Sequence, residues 1–213
     1  MGRDLSPATR RSRREGINLQ LKPIRDQTGK NPLEREYKNY PPGMHIWRRG
    51  RLGAYALRLR EKQKVKRHYG LLERQFRRYL GLAERSRENT GVALLRLLER
   101  RLDNVVYKTR FIAGRRGARQ AIGHGHIHVN GRKVDRPGYL IEVGDKITIS
   151  SREKSQKYAR AQMQLLEGVP LPPEQTWLQV DRDKLEAVVI ALPGRDDVII
   201  PVEEQLIVEF CSR

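Results

Sequence analysis

Residues 90–150 constrain the fold more than any other segment, because their hydrophobic pattern changes from helical to strand-like at one point. Apolar residues recur at helical spacing up to residue 106, after Thr90, whose side chain suits a helix cap. A shorter helix is predicted over residues 115–122. Beyond it apolar and polar residues alternate, and Asn130-Gly131 predicts a type I′ hairpin turn. A further strand is predicted around residues 146–149. The segment therefore predicts two helices packed on a small antiparallel sheet, in an α+β fold.

Basic residues occupy the outer faces of both predicted helices. On the first helix, Arg96, Arg100 and Arg101 fall opposite the leucines. On the second helix, inward packing of alanine and isoleucine leaves a polar face beside the hairpin, made of Arg115, Arg116, Arg119 and Gln120. Such a face suits the phosphate groups of a nucleic acid.

The whole chain is strongly basic, and the positive charge is unevenly distributed. Its 213 residues include 44 Lys and Arg against 25 Asp and Glu, a net charge of +19. Residues 1–80 hold 22 basic and 7 acidic side chains, residues 81–163 hold 18 and 8, and residues 164–213 hold 4 and 10. A small body with this charge favours a polyanionic partner, either nucleic acid or an anionic membrane surface. The acidic segment of residues 164–213 either packs on the rest of the protein and balances its positive charge, or binds a basic neighbouring molecule.

The first 43 residues are rich in Arg, Lys, Pro and Gly and have few apolar positions. Their cluster of Arg10, Arg11, Arg13 and Arg14 predicts an extended arm that lies on phosphates. The alternative interpretation is a disordered, solubilising tail.

Two basic helices are predicted next, one from residue 52 to a stop at Gly70 and one over residues 71–80. Their apolar stripes are narrow and interrupted by charges, whereas a helix that lies on a membrane has a broad stripe of Leu, Phe or Trp. We therefore expect these helices to bind nucleic acid, with no membrane partner.

Several classes of protein are excluded by what the sequence lacks. No apolar run predicts a membrane span or a secretory signal, and the only cysteine, Cys211, excludes internal disulfides and a cysteine-based zinc site. His124, His126 and His128 alternate as metal ligands can, but no carboxylate lies near them in sequence, so hydrogen bonding to RNA or protein is favoured. No P-loop, dinucleotide fingerprint or Ser–His–Asp set is present. We expect no cofactor, no metal and no catalytic residue.

Motifs spread over most of the chain support a more specific interpretation. Within residues 90–150 they include Glu99-Arg100-Arg101-Leu102-Asp103-Asn104, His124-Gly125-His126-Ile127 and Val129-Asn130-Gly131-Arg132-Lys133-Val134. These resemble an RNA-binding module shared by ribosomal proteins, tyrosyl-tRNA synthetases and pseudouridine synthases. The flanking motifs include Tyr40-Pro41-Pro42-Gly43-Met44-His45 and Glu73-Arg74-Gln75-Phe76-Arg77-Arg78. With the flanks, the chain from about Leu33 onward resembles the bacterial-type small-subunit ribosomal protein S-four family.

The resemblance implies a domain plan and a function. A basic arm is expected over residues 1–43, a helical rRNA-binding domain over 44–98 that is joined by segment 198–213, and an inserted RNA-binding module over 99–197. A structural protein of the small ribosomal subunit is expected, which binds 16S rRNA directly and organises its 5′ domain junction during assembly. The alternative is an RNA-modifying or tRNA-handling protein that uses the same module, but a separate catalytic domain is missing.

The resemblance also implies which side chains contact rRNA. In the helical domain they are Arg58, Lys62, Lys64, Lys66, Arg67, Arg74, Arg77 and Arg78. In the module they are Arg115, Arg116, Arg119, Gln120, His124, His126, Asn130 and Lys133.

Further partners follow from the resemblance. The segment after the Pro-Pro-Gly motif is expected to line the path by which mRNA enters, through Arg48, Arg49 and Arg51. Contact with ribosomal protein S-five is expected to affect translational accuracy, and other small-subunit proteins are expected as neighbours. The chain resembles the zinc-free form of the family, and it is expected on cytoplasmic ribosomes, with an organellar ribosome as the alternative.

Overall fold

The structure is a computed structural model that describes residues 6–27, 31, 33, 40–44, 52–167 and 175–212. The chain forms two compact units, one made of Met1–Leu94 with Ile199–Arg213 and the other of Leu95–Val198. The second unit is therefore inserted into the first, and the last segment returns to the first unit.

The described elements follow one another in this order. Five helices, α1 (Ala8–Glu15), α2 (Pro23–Gln27), α3 (Ala54–His68), α4 (Glu73–Ala83) and α5 (Thr90–Glu99), come first among the described residues. They are followed by α6 (Leu102–Lys108), α7 (Arg115–Gly123), β1 (Ile127–Val129), β2 (Arg132–Lys133), β3 (Lys146–Ile149), α8 (Glu153–Gln164), β4 (Leu178–Asp181), β5 (Glu186–Val189) and α9 (Glu204–Cys211).

In the first unit, α3 packs against α9, although more than a hundred residues separate them in sequence. Ile207 of α9 is buried, and the rings of Tyr55 and Phe210 lie 5.3 Å apart. Arg58 of α3 donates from Nε to a Glu209 carboxylate oxygen at 2.8 Å. The acidic C-terminal helix thus supplies counter-charge to a basic helix, which is one of the two roles that its composition predicts.

Residues 8–15 differ from the sequence-based expectation of an extended arm, because they form helix α1, which packs on α3. The carboxylate of Glu15 is buried and pairs with Arg67 and Arg60 of α3. Leu19, just beyond the helix, is fully buried. The extended arm is therefore wrong for this stretch, since ion pairs and a few apolar contacts hold it on α3.

The long helix predicted up to residue 106 is broken into α5 and α6. Arg101 adopts an extended conformation and forms an isolated bridge with Leu140, and the N–H of Leu102 donates to the carbonyl of Tyr139 at 2.9 Å. The N-terminal cap of α5 is Asn89 rather than Thr90, because Asn89 Oδ1 accepts a hydrogen bond from the N–H at position 91 at 2.9 Å.

The second unit contains a five-stranded antiparallel sheet in the order β2-β1-β3-β5-β4. Asn130 and Gly131 connect β1 to β2 with φ values of 51° and 75°, which confirms the type I′ turn. The sequence pattern predicts β1, β2, β3 and α7, whereas β4, β5 and α8 were not predicted. The core lies between the sheet and the helices and includes Leu102, Val105, Ile122, Ile127, Ile147 and Trp177.

Two glycines at the end of α7 provide a matched test of backbone geometry. Gly125 has a φ of 73°, and an added Cβ would contact the Lys133 side chain, whereas Gly123 has open space around it and no positive φ. We expect Gly125→Ala to lower the free energy of unfolding by about 1–2 kcal/mol, the cost of a left-handed backbone for an L-residue. Gly123→Ala should leave it unchanged or raise it by less than about 1 kcal/mol.

Urea unfolding followed by circular dichroism measures both changes. Equal midpoints for the two variants would show that residue 125 tolerates a side chain and would contradict the prediction.

Candidate RNA interface

Most predicted contact residues of α3 form ion pairs within the first unit. Lys64 pairs with Glu61, Lys66 pairs with Glu73 at 3.1 Å, and Arg67 pairs with Glu15. Each of these cations is partly exposed, so each keeps some surface toward solvent. The basic face of α3 is therefore partly neutralised by the protein itself.

Lys62 is the most buried of the predicted contacts on α3, with only 7% of its side chain exposed. Its ammonium bonds to Glu73 and lies 5.0 Å from the ring centroid of Phe210 and 5.9 Å from that of Phe76. This arrangement gives Lys62 a role in joining α3, α4 and α9, and removes it from the exposed surface.

Glu73, the first residue of α4, accepts from Lys62, Lys66 and Arg77. Burial acts to raise its pKa, but the hydrogen bonds and charges of Lys62 and Lys66 outweigh burial and lower the pKa to about 2. Glu73 therefore stays ionised at all physiological pH values and fixes the cations around it.

The outer face of α4 presents predicted contacts to solvent. Arg74 and Arg78 are exposed and form no ion pair with any residue that the structure describes, and Arg77 is 74% exposed despite its bond to Glu73. On α1, Arg10 and Arg14 are exposed. Exposed guanidinium groups of this kind are free to bind phosphate oxygens in a bidentate manner.

The other two arginines of the predicted arm have partners within the protein. Arg11 is buried and donates from Nε to Ser6 at 2.6 Å. Arg13 donates to the carbonyl of Tyr40 at 2.9 Å, and its guanidinium lies 4.5 Å from the ring centroid of that tyrosine. The segment with Arg48, Arg49 and Arg51 lies outside the described residues.

In the second unit, a buried carboxylate holds two arginines at the junction of α6 and α7. Asp103 accepts from Arg101 Nη2 at 2.9 Å and from Arg119 Nε at 2.6 Å. Burial acts to raise the pKa of Asp103, but the charges and hydrogen bonds of Arg101 and Arg119 lower it below its usual value. Arg119 remains 27% exposed, so its anchored guanidinium still faces solvent.

Arg115 and Arg101 do not lie on the outer face that helical spacing predicts. Arg115 is 7% exposed, donates from Nε to Asn104 Oδ1 at 2.8 Å, and lies 4.3 Å from the ring centroid of Tyr107. Arg101 is 4% exposed. Both arginines are buried because polar partners on α6 hold them, and helical periodicity cannot reveal such partners.

The same network continues deeper into the second unit. Asn104 Nδ2 donates to Glu99 Oε2 at 2.6 Å, and Glu99 pairs with Lys108 at 2.6 Å. Lys108 also donates to the carbonyl of Asp197 at 2.7 Å. The sequence pattern does not predict this buried network. Glu99, Asn104 and Lys108 lie close together in the chain, but their burial depends on contacts from distant residues such as Asp197.

The remaining predicted contacts of the module lie around α7 and the hairpin. Arg116, Gln120, His124, Asn130 and Lys133 are exposed. His126 is partly buried, with its Nδ1 2.8 Å from Ser155 Oγ. Burial, followed by the charges of His124 and Arg152, lowers the pKa of His126. In the described ranges, no three His, Cys, Asp or Glu side chains converge to hold a metal ion.

Among the described helices, none combines the length and the hydrophobicity needed to cross a bilayer.

Asp103 provides a test of the buried ion pair. Because the pKa of Asp103 is lowered on folding, its contribution to stability is complete above the unfolded pKa of about 3.9 and is lost as pH falls through the folded pKa. We expect Asp103→Asn to cost about 3–5 kcal/mol at pH 7, since Arg101 is left buried without its charge partner. The difference from wild type should shrink as the pH is lowered toward 3.

Urea unfolding at a series of pH values measures this effect, with Asp135→Asn as the control because Asp135 is exposed. The control should change the free energy of unfolding by less than about 0.5 kcal/mol. A cost for Asp103→Asn that does not depend on pH would contradict the role of the carboxylate charge.

Known proteins are similar to this chain over its whole length. Residues 3–99 match the model of the ribosomal protein S4/S9 N-terminal domain, and residues 100–147 match the S4 domain. The small ribosomal subunit protein uS4 of Halothermothrix orenii is 47% identical to this chain over 213 residues. The protein of the same name from Thermus thermophilus is 44% identical to this chain over 214 residues. Each alignment covers 100% of both chains.

The matched proteins are structural components of the ribosome and not enzymes, which favours the ribosomal interpretation over the RNA-modifying and tRNA-handling alternative. The antiparallel sheet, the helical first unit and the two matched domains agree with one another along the chain. The chain therefore belongs to the bacterial-type ribosomal protein S4 family of the small subunit.

Proposed function

We propose that this ribosomal protein binds 16S rRNA directly and organises the junction of the 5′ domain while the small subunit assembles. The main support is the exposure of cations on both compact units, with Arg74 and Arg78 on one and Arg116 and Arg119 on the other. Two units joined in one chain bind two RNA segments at once. Their joint binding restricts the angle between the segments, which is how a protein without catalytic activity can order RNA folding.

Recognition is expected to depend on phosphates and on RNA shape. The major groove of an RNA helix is too narrow for side chains to read, and only 6% of this chain is aromatic, which limits stacking on bases. Exposed arginines and lysines bind phosphates regardless of base identity. Selectivity therefore comes from the shape of the RNA rather than from its base sequence.

The proposal includes further partners that the family resemblance implies. Arg48, Arg49 and Arg51 are proposed to line the path by which mRNA enters the subunit. Contact with ribosomal protein S-five and with other small-subunit proteins is proposed to affect translational accuracy. The proposed location is the ribosome of the bacterial cytoplasm.

The site on α4 is tested by a double variant with a matched control. Arg74→Ala/Arg78→Ala removes two exposed cations that have no ion-pair partner among the described residues, and Arg182→Ala/Lys184→Ala removes two cations from the turn between β4 and β5. Filter binding to the 5′ domain of 16S rRNA over a salt series gives the dissociation constant and its salt dependence. We expect the α4 variant to bind more weakly and its salt slope to fall by about two, one for each lost phosphate contact.

The control variant should retain the wild-type slope. Excess total tRNA serves as competitor, and wild-type binding should survive it. Equal affinity for tRNA and for the 5′ domain would show that the protein binds RNA without selectivity, and this would contradict the proposed function.

A further inference from the structure

Four basic side chains of the second unit gather where α7, the hairpin and α8 meet. We call them the basic cluster: His124 after α7, His126 just before β1, Lys133 in β2 and Arg152 before α8. His124, Lys133 and Arg152 are exposed, and none of the four forms an ion pair with a described residue. They differ in this from most of the cations on α3, whose charges are balanced by Glu61, Glu73 and Glu15.

The members of the basic cluster are close in space. The ring centroids of His124 and His126 are 6.0 Å apart. The Lys133 side chain crosses Gly125, which lies between the two histidines, because a Cβ added there would meet its Cε and its Nζ. Arg152 lies near enough to His126 for its charge to lower the pKa of the imidazole, after burial and His124.

Helix α8 contacts His126 of the basic cluster, and Arg152 immediately precedes the helix. Ser155 is buried, and its Oγ lies 2.8 Å from His126 Nδ1. The ring of Tyr158 stacks on His126 with centroids 5.7 Å apart. Since these contacts hold the residue that precedes β1 against the first turns of α8, they keep Arg152 on the same surface as the two histidines and Lys133.

Like charges that gather on a surface repel one another unless an anion lies among them. All four side chains donate hydrogen bonds when protonated, and none of them then accepts, which matches the several acceptor oxygens of a phosphate. We propose that Arg152, His124, His126 and Lys133 form a phosphate-binding site for the RNA backbone, so that the start of α8 belongs to the RNA-binding surface. This inference rests on the proposed RNA-binding function and adds to it a helix that no sequence motif indicated.

Binding of phosphate to this site favours the imidazolium form of His126. The charged groups that act on His126 are His124 from the end of α7 and Arg152 before α8, and Ser155 and Tyr158 are its other neighbours on α8. RNA affinity should therefore rise as pH falls from neutral toward the lowered pKa of His126.

Arg152→Ala tests the site, and Arg182→Ala is its matched control. Arg182 is also exposed, but it lies in the turn between β4 and β5, at the opposite edge of the sheet from β2. Arg152 makes no side-chain cap bond to α8, so its truncation leaves the helix cap intact. Filter binding over a salt series should give a slope that falls by about one for Arg152→Ala and stays at the wild-type value for Arg182→Ala.

The salt series is run with two RNAs, the 5′ domain of 16S rRNA and total tRNA, so that two failures can be told apart. Equal affinity for both RNAs overturns the proposed function, while the slopes still report whether Arg152 meets a phosphate. A wild-type slope for Arg152→Ala with both RNAs overturns the phosphate site.

A second measurement on the free protein checks the geometry of the basic cluster. NMR titration should show a higher pKa for His126 in Arg152→Ala, because a neighbouring positive charge has been removed, and an unchanged pKa in Arg182→Ala. Addition of the 5′ domain RNA to the wild-type protein should raise the pKa of His126. An unchanged His126 pKa in Arg152→Ala contradicts the proposed site.

Discussion

Neutralisation of the protein's own positive charge by a few carboxylates is the interaction on which both units depend. Glu15 joins α1 to α3, Glu73 joins α4 to α3, and Asp103 and Glu99 join the helices of the second unit. A chain with a net charge of +19 cannot bring so many cations into compact units without such pairs. The cations that remain outside these pairs are available to bind an external polyanion.

Local patterns in the sequence predicted the elements whose structure is decided locally. The type I′ turn at Asn130-Gly131, strand β3 and helix α7 depend on turn chemistry and on the spacing of apolar residues, and each was confirmed. The break between α5 and α6 was not predicted, because it depends on a bridge from Arg101 to Leu140. Likewise, α1 is held on α3 by contacts between residues far apart in the chain.

The sequence predicted which basic residues make up the candidate RNA interface, but it did not predict which of them are exposed. Spacing on a helix cannot distinguish Arg74, which faces solvent, from Lys62, whose ammonium is enclosed by Glu73 and two aromatic rings. Arg115 is buried for a similar reason, since Asn104 and Tyr107 receive its guanidinium. Arg152 was missed because α8 carries no recognisable motif, and only the position of His126 connects it to the hairpin.

The insertion of one unit into the other determines the order in which the protein can fold during synthesis. All residues of the second unit are present once Val198 has left the ribosome, so its sheet and helices can close at that time. The first unit must wait for α9, which packs on α3 and carries Glu209 to Arg58. A nascent chain therefore completes its second unit before its first, and α3 stays without its partner helix until residues 204–211 have been made.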